Sequence, residues 1–372
     1  MSKYRIAWMP GDGIGVEVME AARIVLDALK FDADYVPADI GWQFWCQEGD
    51  ALPQRTLDVL KTVDCGLFGA ITSKPKEEAE KELIPELQGN GLTYRSPIVR
   101  LRQALDLYCN LRPCKAYPGN PLNYRDDIDL VVFRENTEGL YSGIEYHPVP
   151  DDLRTMMKGY APALGKFDPV EGEEMAMTVR VVTHPGAERI IRRAFDYAQK
   201  NGYPTVTLVE KPNVLRETSG MMRAVAREID KEYPDIELWE TNIDAQVMWL
   251  VKNPQDYGVL VTGNLFGDIL SDLSAQLVGG LGFASSGNIG DEMAVFEPTH
   301  GSAPKYVGQY KVNPTAMLLA SKMMLDWLGE AEMADALEDA IAEVIAEGKV
   351  RTYDMGGDSS TLDVAHAVVE RL

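Results

Sequence analysis

The chain has 372 residues, 45% of them hydrophobic and 25% charged, a composition that can bury a substantial core and excludes both a disordered chain and a small disulfide scaffold. Thirty-six Lys plus Arg against 58 Asp plus Glu leave a formal net charge of −22, a field that repels phosphate backbones and anionic headgroups and so argues against nucleic acid and membrane surfaces as partners. The length argues for two domains, or for one large domain with an appended lobe.

Short apolar runs alternate with amphipathic stretches along the chain. Residues 4–9 read as a strand and 15–29 as a helix, then 65–69 as a strand and 96–107 as a helix. The alternation returns with strands at 130–133, at 205–209 before a helical stretch at 221–233, and at 259–261 before 268–277. This is the punctuation of βα units and predicts an α/β fold with a substantially parallel sheet. The last sixty residues are helical in pattern, at 315–328, 331–346 and 362–372, and no repeat of fixed period is present. Two segments interrupt the pattern. Residues 74–82 form a mixed charge run, read as a solvated helix or loop. Residues 147–174 carry Pro148, Pro150, Pro162 and Pro169 with few periodic apolar positions, and read as a projecting arm that another subunit could hold. The four cysteines, Cys46, Cys65, Cys109 and Cys114, form no C-x-x-C pair and suit a reducing cytosol. No apolar run approaches the roughly 20 residues of a membrane helix, and residues 1–10 lack the features of an export signal, so a cytoplasmic location is expected.

Four sets of residues carry chemistry. Gly11-Asp12-Gly13-Ile14-Gly15 follows the first strand, where a dinucleotide fingerprint would sit. The third glycine of that fingerprint is replaced by Glu17, whose carboxylate would point toward a pyrophosphate, so a tight turn using positive φ is the favoured reading. Asp268 and Asp272 share one face of a helix otherwise rich in Ile269, Leu270, Leu273 and Leu277, where unmatched acids are costly. With a third oxygen ligand from Asp244 they would suit Mg²⁺ or Mn²⁺; alone, Asp244 reads as a helix N-cap. Arg102 in the helix 96–107, Arg112 before Pro113 and Arg134 at the end of the strand 130–133 offer planar forks for carboxylates. Ligands of open α/β sheets collect at strand carboxyl ends, which favours Arg134. Lys211, just after the strand 205–209, and Tyr141 are a candidate base and acid, though spacing alone does not bring them together.

In order and spacing, Met9-Pro-Gly-Asp-Gly-Ile-Gly15, Arg134-Glu-Asn-Thr-Glu-Gly139, Tyr141-Ser-Gly143, Lys211-Pro-Asn213, Gly263-Asn-Leu-Phe-Gly-Asp-Ile-Leu-Ser-Asp272, Glu297-Pro-Thr-His-Gly-Ser-Ala-Pro304 and Asn313-Pro314 resemble the isocitrate/isopropylmalate dehydrogenase family across essentially the whole chain. The resemblance implies a two-lobed isopropylmalate-dehydrogenase-like fold rather than an ordinary Rossmann fold. One lobe, which holds the cofactor, would come from residues 1–107 and 279–372. The other, 108–278, would carry the dimer interface and the arm at about 147–174. It implies a metal-dependent, nicotinamide-linked oxidative decarboxylation of a 2-hydroxy acid with a C3 carboxylate. Arg102, Arg112 and Arg134 would grip the malate moiety, Asp244, Asp268 and Asp272 would hold Mg²⁺ or Mn²⁺, Lys211 would assist removal of the hydroxyl proton and Tyr141 would protonate the enol. Because Lys211 and one metal-binding Asp would come from the second subunit, an obligate homodimer with shared active sites is implied.

The resemblance places the cofactor against His300, Gly301, Ser302, Ala303, Lys305, Tyr306, Val312 and Asn313, with Asn213 and Tyr353 completing the set. Lys305-Tyr306 stands where NAD-using members place an acid and an apolar residue; together with Tyr353 it resembles NADP-using isocitrate dehydrogenases, so NADP is expected, with NAD the alternative. The arginine those enzymes place four residues after the tyrosine is Gly357 here. The C3 group would be read by Ser96 and Ile98. Ser96 matches the Ser-x-Asn pattern of isocitrate enzymes, whereas Ile98 replaces the Asn and suits an isopropyl group or plain packing; Ser96-Pro97 also reads as an N-cap with proline in the first turn. Isocitrate is the expected substrate. 3-Isopropylmalate, homoisocitrate (through Arg95 or Arg100) or a tartrate-type acid are the alternatives, and a catalytically silent regulatory subunit is the alternative of another class.

Overall fold

The computed structural model describes residues 2–372. Its strands are β1 (Tyr4–Gly11), β2 (Ala33–Pro37), β3 (Cys65–Ala70), β4 (Cys109–Lys115), β5 (Asp129–Glu135), β6 (Glu145–Tyr146), β7 (Met177–Thr178), β8 (Thr205–Glu210), β9 (Glu237–Asn242), β10 (Val259–Thr262), β11 (Ser285–Ile289) and β12 (Ala294–Pro298). Ten of them form one sheet in the order β2-β1-β3-β12-β11-β4-β5-β10-β8-β9, and β6 pairs with β7 in a separate hairpin. Both flanks of the large sheet are parallel, as expected from the βα pattern. The centre is not: β12–β11, β11–β4 and β4–β5 are antiparallel. The five strands on one side of the β11–β4 seam come from residues 1–107 and 279–372, and the five on the other from 108–278.

Strands buried on both faces read as continuous apolar runs. β3 and β8 are buried at every position. One face packs on a single large cluster that includes Val18, Ala22 and Val25 of helix Gly15–Ala28, Ile190, Ala194 and Phe195 of helix His184–Asn201, and Met317 and Leu325 of helix Thr315–Trp327. Strand side chains alternate between faces, and the opposite face carries two separate apolar clusters. One, with Leu130, Val132 and Cys114, is covered by Leu270 and Leu277 of helix Asn264–Leu277. The other, with Ala7, Met9, Phe68 and Val295, is covered by Leu101 of helix Pro97–Ala104. Between them the same face carries polar side chains: Asn110 and Arg112 on β4, Arg134 on β5, Ser286 and Asn288 on β11 and Glu297 on β12, all buried. A polar strip between two apolar clusters, at the antiparallel seam, positions the site.

The arm contains structure that its prolines concealed. Pro150 precedes a helix, Asp151–Tyr160, with Asp151 and Asp152 in its first turn, where carboxylates oppose the helix dipole favourably. This helix buries none of its residues, and Tyr160 is 89% exposed. The charge run forms the helix Lys76–Lys81, as the solvated reading expected.

Candidate active site

Arg102, Arg112 and Arg134 meet on the polar strip. Arg102 Nε donates to Asn288 Oδ1 at 2.7 Å, and its Nη2 reaches Glu297 Oε1 at 3.3 Å. Arg112 Nε donates to Asn110 Oδ1 (2.7 Å), and its Nη1 to Ser271 Oγ (2.6 Å) and Asp272 Oδ1 (2.9 Å). Arg134 is ion-paired with Asp268 and donates from Nε and Nη2 to Asn264 Oδ1 at 3.0 and 2.8 Å. Tyr141 OH donates to the other oxygen of Asp268 at 2.6 Å, and the Arg134 guanidinium lies 5.1 Å from the Tyr141 ring centre. Glycine at 267 is required for this approach: a Cβ there would stand 2.6 Å from Arg134 Cγ.

Three buried guanidiniums this close push against one another's charge. Burial first, and then Arg102, lower Arg134 to about 10; burial likewise lowers Arg102. Burial alone would raise Asp268, but Arg134, the Tyr141 hydrogen bond, Arg112 and Arg102 outweigh it and hold that carboxyl below its ordinary value. Burial and the bond to Asp268 raise Tyr141, which keeps its proton. The result is a cationic wall lined by an ionised acid and a protonated phenol, able to bind a small polycarboxylate.

A sequence profile described as isocitrate/isopropylmalate dehydrogenase matches residues 5–368. The chain belongs to this family. It is therefore an oxidoreductase of the decarboxylating dehydrogenase type, in a family that uses a nicotinamide cofactor and a divalent metal on small hydroxy acids. It is 41% identical over 372 residues to the 3-isopropylmalate dehydrogenase of Methanothermobacter thermautotrophicus, covering 100% of this chain and 99% of the relative. It is 40% identical over 368 residues to protein DlpA of Legionella pneumophila, covering 98% of this chain but spanning only 58% of that relative's length. The crystal structure of isocitrate dehydrogenase from Methylococcus capsulatus superposes with a TM-score of 0.85 at 41% identity, covering 99% of each chain.

Other family-matched residues lie elsewhere. Lys211, after β8, is ion-paired with Asp244 in the first turn of helix Ile243–Lys252. Asp244 is not the N-cap, which is Asn242. Tyr141 and Lys211 are not joined, since each is held by its own aspartate, and among the described residues no three His, Cys, Asp or Glu side chains gather as a metal site. Asn213, two residues after Lys211, lines a cleft with Glu210, Arg223 and Glu240.

The loop matching the family's cofactor loop is held from the opening turn of the chain. Ile14 N–H donates to Ser302 O (3.0 Å), Ser302 N–H to Ile71 O (3.2 Å), and Ser302 Oγ lies 2.6 Å from Thr72 Oγ1. The glycines of the turn serve close packing. A Cβ on Gly11 would meet Ala70 O at 2.0 Å and one on Gly13 would meet Ser302 O at 2.2 Å. Glu17 does not face a pyrophosphate: its buried carboxylate accepts the N–H groups of Gly308 (2.5 Å) and Tyr310 (2.9 Å). Gly301 is exposed, Ala303 takes φ +38, and His300, lowered by burial, leaves Nε2 buried without a partner. Two expected contacts are engaged structurally. Val312 is buried in the large cluster, and the Asn313 side chain caps Thr315 N–H (3.0 Å) and donates to Asp354 (3.1 Å).

On helix Pro97–Ala104, Ile98 is half-buried and packs against the apolar cluster that holds Leu101. Ser96 is the N-cap residue, yet its hydroxyl accepts no N–H from the helix. Arg100 is ion-paired with Asp50. Asn110, Asn264, Ser271 and Asn288, the partners of the arginines, escaped sequence reasoning. Polar residues alternating with apolar ones in a buried strand, as in Cys109-Asn-Leu-Arg112, were the signal that could have found them.

Proposed function

We propose that the protein catalyses the NADP-linked, Mg²⁺- or Mn²⁺-dependent oxidative decarboxylation of isocitrate to 2-oxoglutarate and CO₂. The observation that carries this reading is the cluster of three buried arginines around Asp268, Asp272 and Tyr141, beside a helix whose leading Ser96 hydroxyl is not used by the helix itself. The arginines hold the carboxylates of the malate moiety through their forks. Ser96 supplies a hydrogen bond to the remaining carboxylate, a role an isopropyl group would leave unmet.

The acids fit a hard cation. Asp268 and Asp272 stand one helical turn apart, both are oxygen donors, and Asp268 is held ionised. Mg²⁺ or Mn²⁺ held by these acids would supply Lewis-acid polarisation of the substrate hydroxyl, and a bound nicotinamide would supply the acceptor for the hydride from C2. Lys211 assists removal of the hydroxyl proton and Tyr141, its proton held by the bond to Asp268, delivers one to C3 after CO₂ leaves. Lys211 and Asp244 reach this site from a second copy of the chain, which makes the enzyme a homodimer with shared sites. Apolar side chains left exposed on the helices Ile243–Lys252 and Asn264–Leu277, Met248, Val251 and Ile269, supply a surface for that copy. In this reading the discontinuous lobe of residues 1–107 and 279–372 holds the cofactor, and the lobe 108–278 carries the dimer interface. Four free cysteines, and no helix among the described residues long and apolar enough to cross a membrane, accord with a cytoplasmic enzyme.

3-Isopropylmalate is the second reading, favoured by the 41% identical dehydrogenase of that name and by the Ile98-Val99 pair. The test is a panel of isocitrate, 3-isopropylmalate, homoisocitrate and tartrate with NADP and NAD, followed by the absorbance of the reduced nicotinamide. Isocitrate with NADP is expected to give the highest kcat/KM; a preference for isopropylmalate overturns the substrate, and no turnover with any acid supports a silent subunit.

A further inference from the structure

The basic and aromatic residues around the cofactor loop contain a cation that the family pattern does not assign. Tyr306 and Tyr353 stand with ring centres 5.4 Å apart. Lys305 Nζ lies 4.7 Å from the Tyr306 ring centre, and Lys311 Nζ lies over both rings, 4.5 Å from Tyr306 and 5.3 Å from Tyr353. Among the described residues no carboxylate is within ion-pairing distance, 4.0 Å, of either lysine. The acid next in sequence to Tyr353, Asp354, already accepts from Thr352 Oγ1 (2.5 Å) and Asn313 Nδ2 (3.1 Å). In a chain of net charge −22, two cations without counter-ions on one aromatic platform form a place for an anion.

The geometry also explains why position 357 is glycine. A Cβ there would stand 2.1 Å from Arg351 O and 2.6 Å from Arg351 Cβ, and the turn is tied down by Gly357 N–H to Thr352 O (3.0 Å) and Ser359 N–H to Arg351 O (2.9 Å). No side chain can leave the backbone at this point, so a second cation has to come from another element. Lys311 is fixed for the task on both sides. Before it, Tyr310 is held by Glu17 through its N–H and by Glu20 through its hydroxyl (2.7 Å). After it, Val312 O accepts from Thr361 Oγ1 at 2.7 Å. Little ordering remains to be done when a ligand arrives.

We infer that Lys311, with Lys305, reads the 2′-phosphate of the cofactor and replaces the cation that position 357 cannot carry. The inference rests on the NADP reading above and adds to it a specificity residue. The phosphate dianion would take charge-assisted hydrogen bonds from the two ammonium groups, while a free ribose hydroxyl would leave both lysines unmatched.

The test is calorimetric titration of the full-length protein with NADP⁺, NAD⁺ and adenosine 2′,5′-bisphosphate, for the wild type, Lys305→Gln, Lys311→Gln and Lys311→Arg, with a thermal melt to verify folding. Lys311→Gln is expected to weaken NADP⁺ and the bisphosphate by about tenfold or more and to leave NAD⁺ within about twofold, while Lys311→Arg keeps the preference. Wild-type protein that binds NAD⁺ as tightly as NADP⁺ overturns the NADP reading and this inference with it. If the wild type prefers NADP⁺ and only Lys305→Gln loses that preference, the NADP reading stands and the role of Lys311 falls. Equal weakening of all three ligands by Lys311→Gln, or loss of the preference in Lys311→Arg, also overturns it.

Discussion

Asp268 is the residue on which the arginine cluster turns. It accepts from Tyr141 at 2.6 Å, pairs with Arg134 and lies 3.9 Å from Arg112, so one carboxylate matches buried positive charge and, in the proposed function, would also offer oxygens to a cation. Asp268→Asn keeps the shape and removes the charge. It should lower Mg²⁺ affinity at least about tenfold, the scale on which damage to a metal's immediate surroundings acts, and turnover at ordinary Mg²⁺ should be lost. A near-normal rate across an Mg²⁺ titration contradicts the assignment. The same residue shows what was legible in the sequence. Two acids four apart on an apolar helix needed a positive partner, and the partners are Arg134 and Arg112. Spacing did not show that the third acid, Asp244, sits with Lys211 apart from the other two, because it carries no information on which distant segments meet; only the family resemblance implied a separate origin for Lys211 and one aspartate.

Among the elements, the opening strand-to-helix turn illustrates how a familiar motif changes meaning. Gly11 and Gly13 adopt φ of +68 and +58, and both lie where a Cβ would strike a carbonyl oxygen. The left-handed conformation alone costs a side chain roughly 1–2 kcal/mol, and the Ser302 loop would also have to move. Gly13→Ala should therefore lower Tm and raise the KM for the cofactor together; unchanged values contradict the view that this turn clamps the cofactor loop. Glu17, readable from sequence only as a misfit in a fingerprint, holds the far end of that loop instead. Elements with clean periods were legible to within a few residues, β1, β3, β8 and β10 among them. At the antiparallel centre β5 was legible as 130–133 but β4 and β11 were not: β4 contains Arg112 and Pro113, and β11 is Ser-Ser-Gly-Asn-Ile, because the polar strip replaces the apolar residues that mark a buried strand. The helix His184–Asn201 buries Ala187, Ile190, Ile191, Ala194, Phe195 and Ala198 at helical spacing, a period concealed by the arginines and acids between them.

At the scale of the whole molecule, one junction between the two halves is electrostatic. Glu338 of helix Ala331–Glu347 meets Lys115 at the end of β4 (2.6 Å), Lys322 (3.0 Å) and Tyr117 OH (3.2 Å). Burial would raise this carboxyl, but the two lysines prevail and hold it at about 2. A depressed carboxylate stabilises the fold above its unfolded-state value and loses that contribution as pH falls toward the folded value. The window is therefore from about 4.5 down to about 2. Wild type should exceed Glu338→Gln in urea midpoint at pH 6 by more than at pH 3; an equal gap at both contradicts the pairing. In the proposed function the larger junction is between two copies of the chain, which would bring Lys211 and Asp244 of one, paired with each other, to Tyr141 and Asp268 of the other.

Co-refolding two inactive variants, Tyr141→Phe and Lys211→Ala, tests that shared site most directly. Random pairing makes half the dimers mixed, and each mixed dimer has one intact site of two, so about a quarter of wild-type activity should return. Activity that stays at the level of the separate variants, in a mixture shown to contain the mixed dimer, would contradict a site built from two chains.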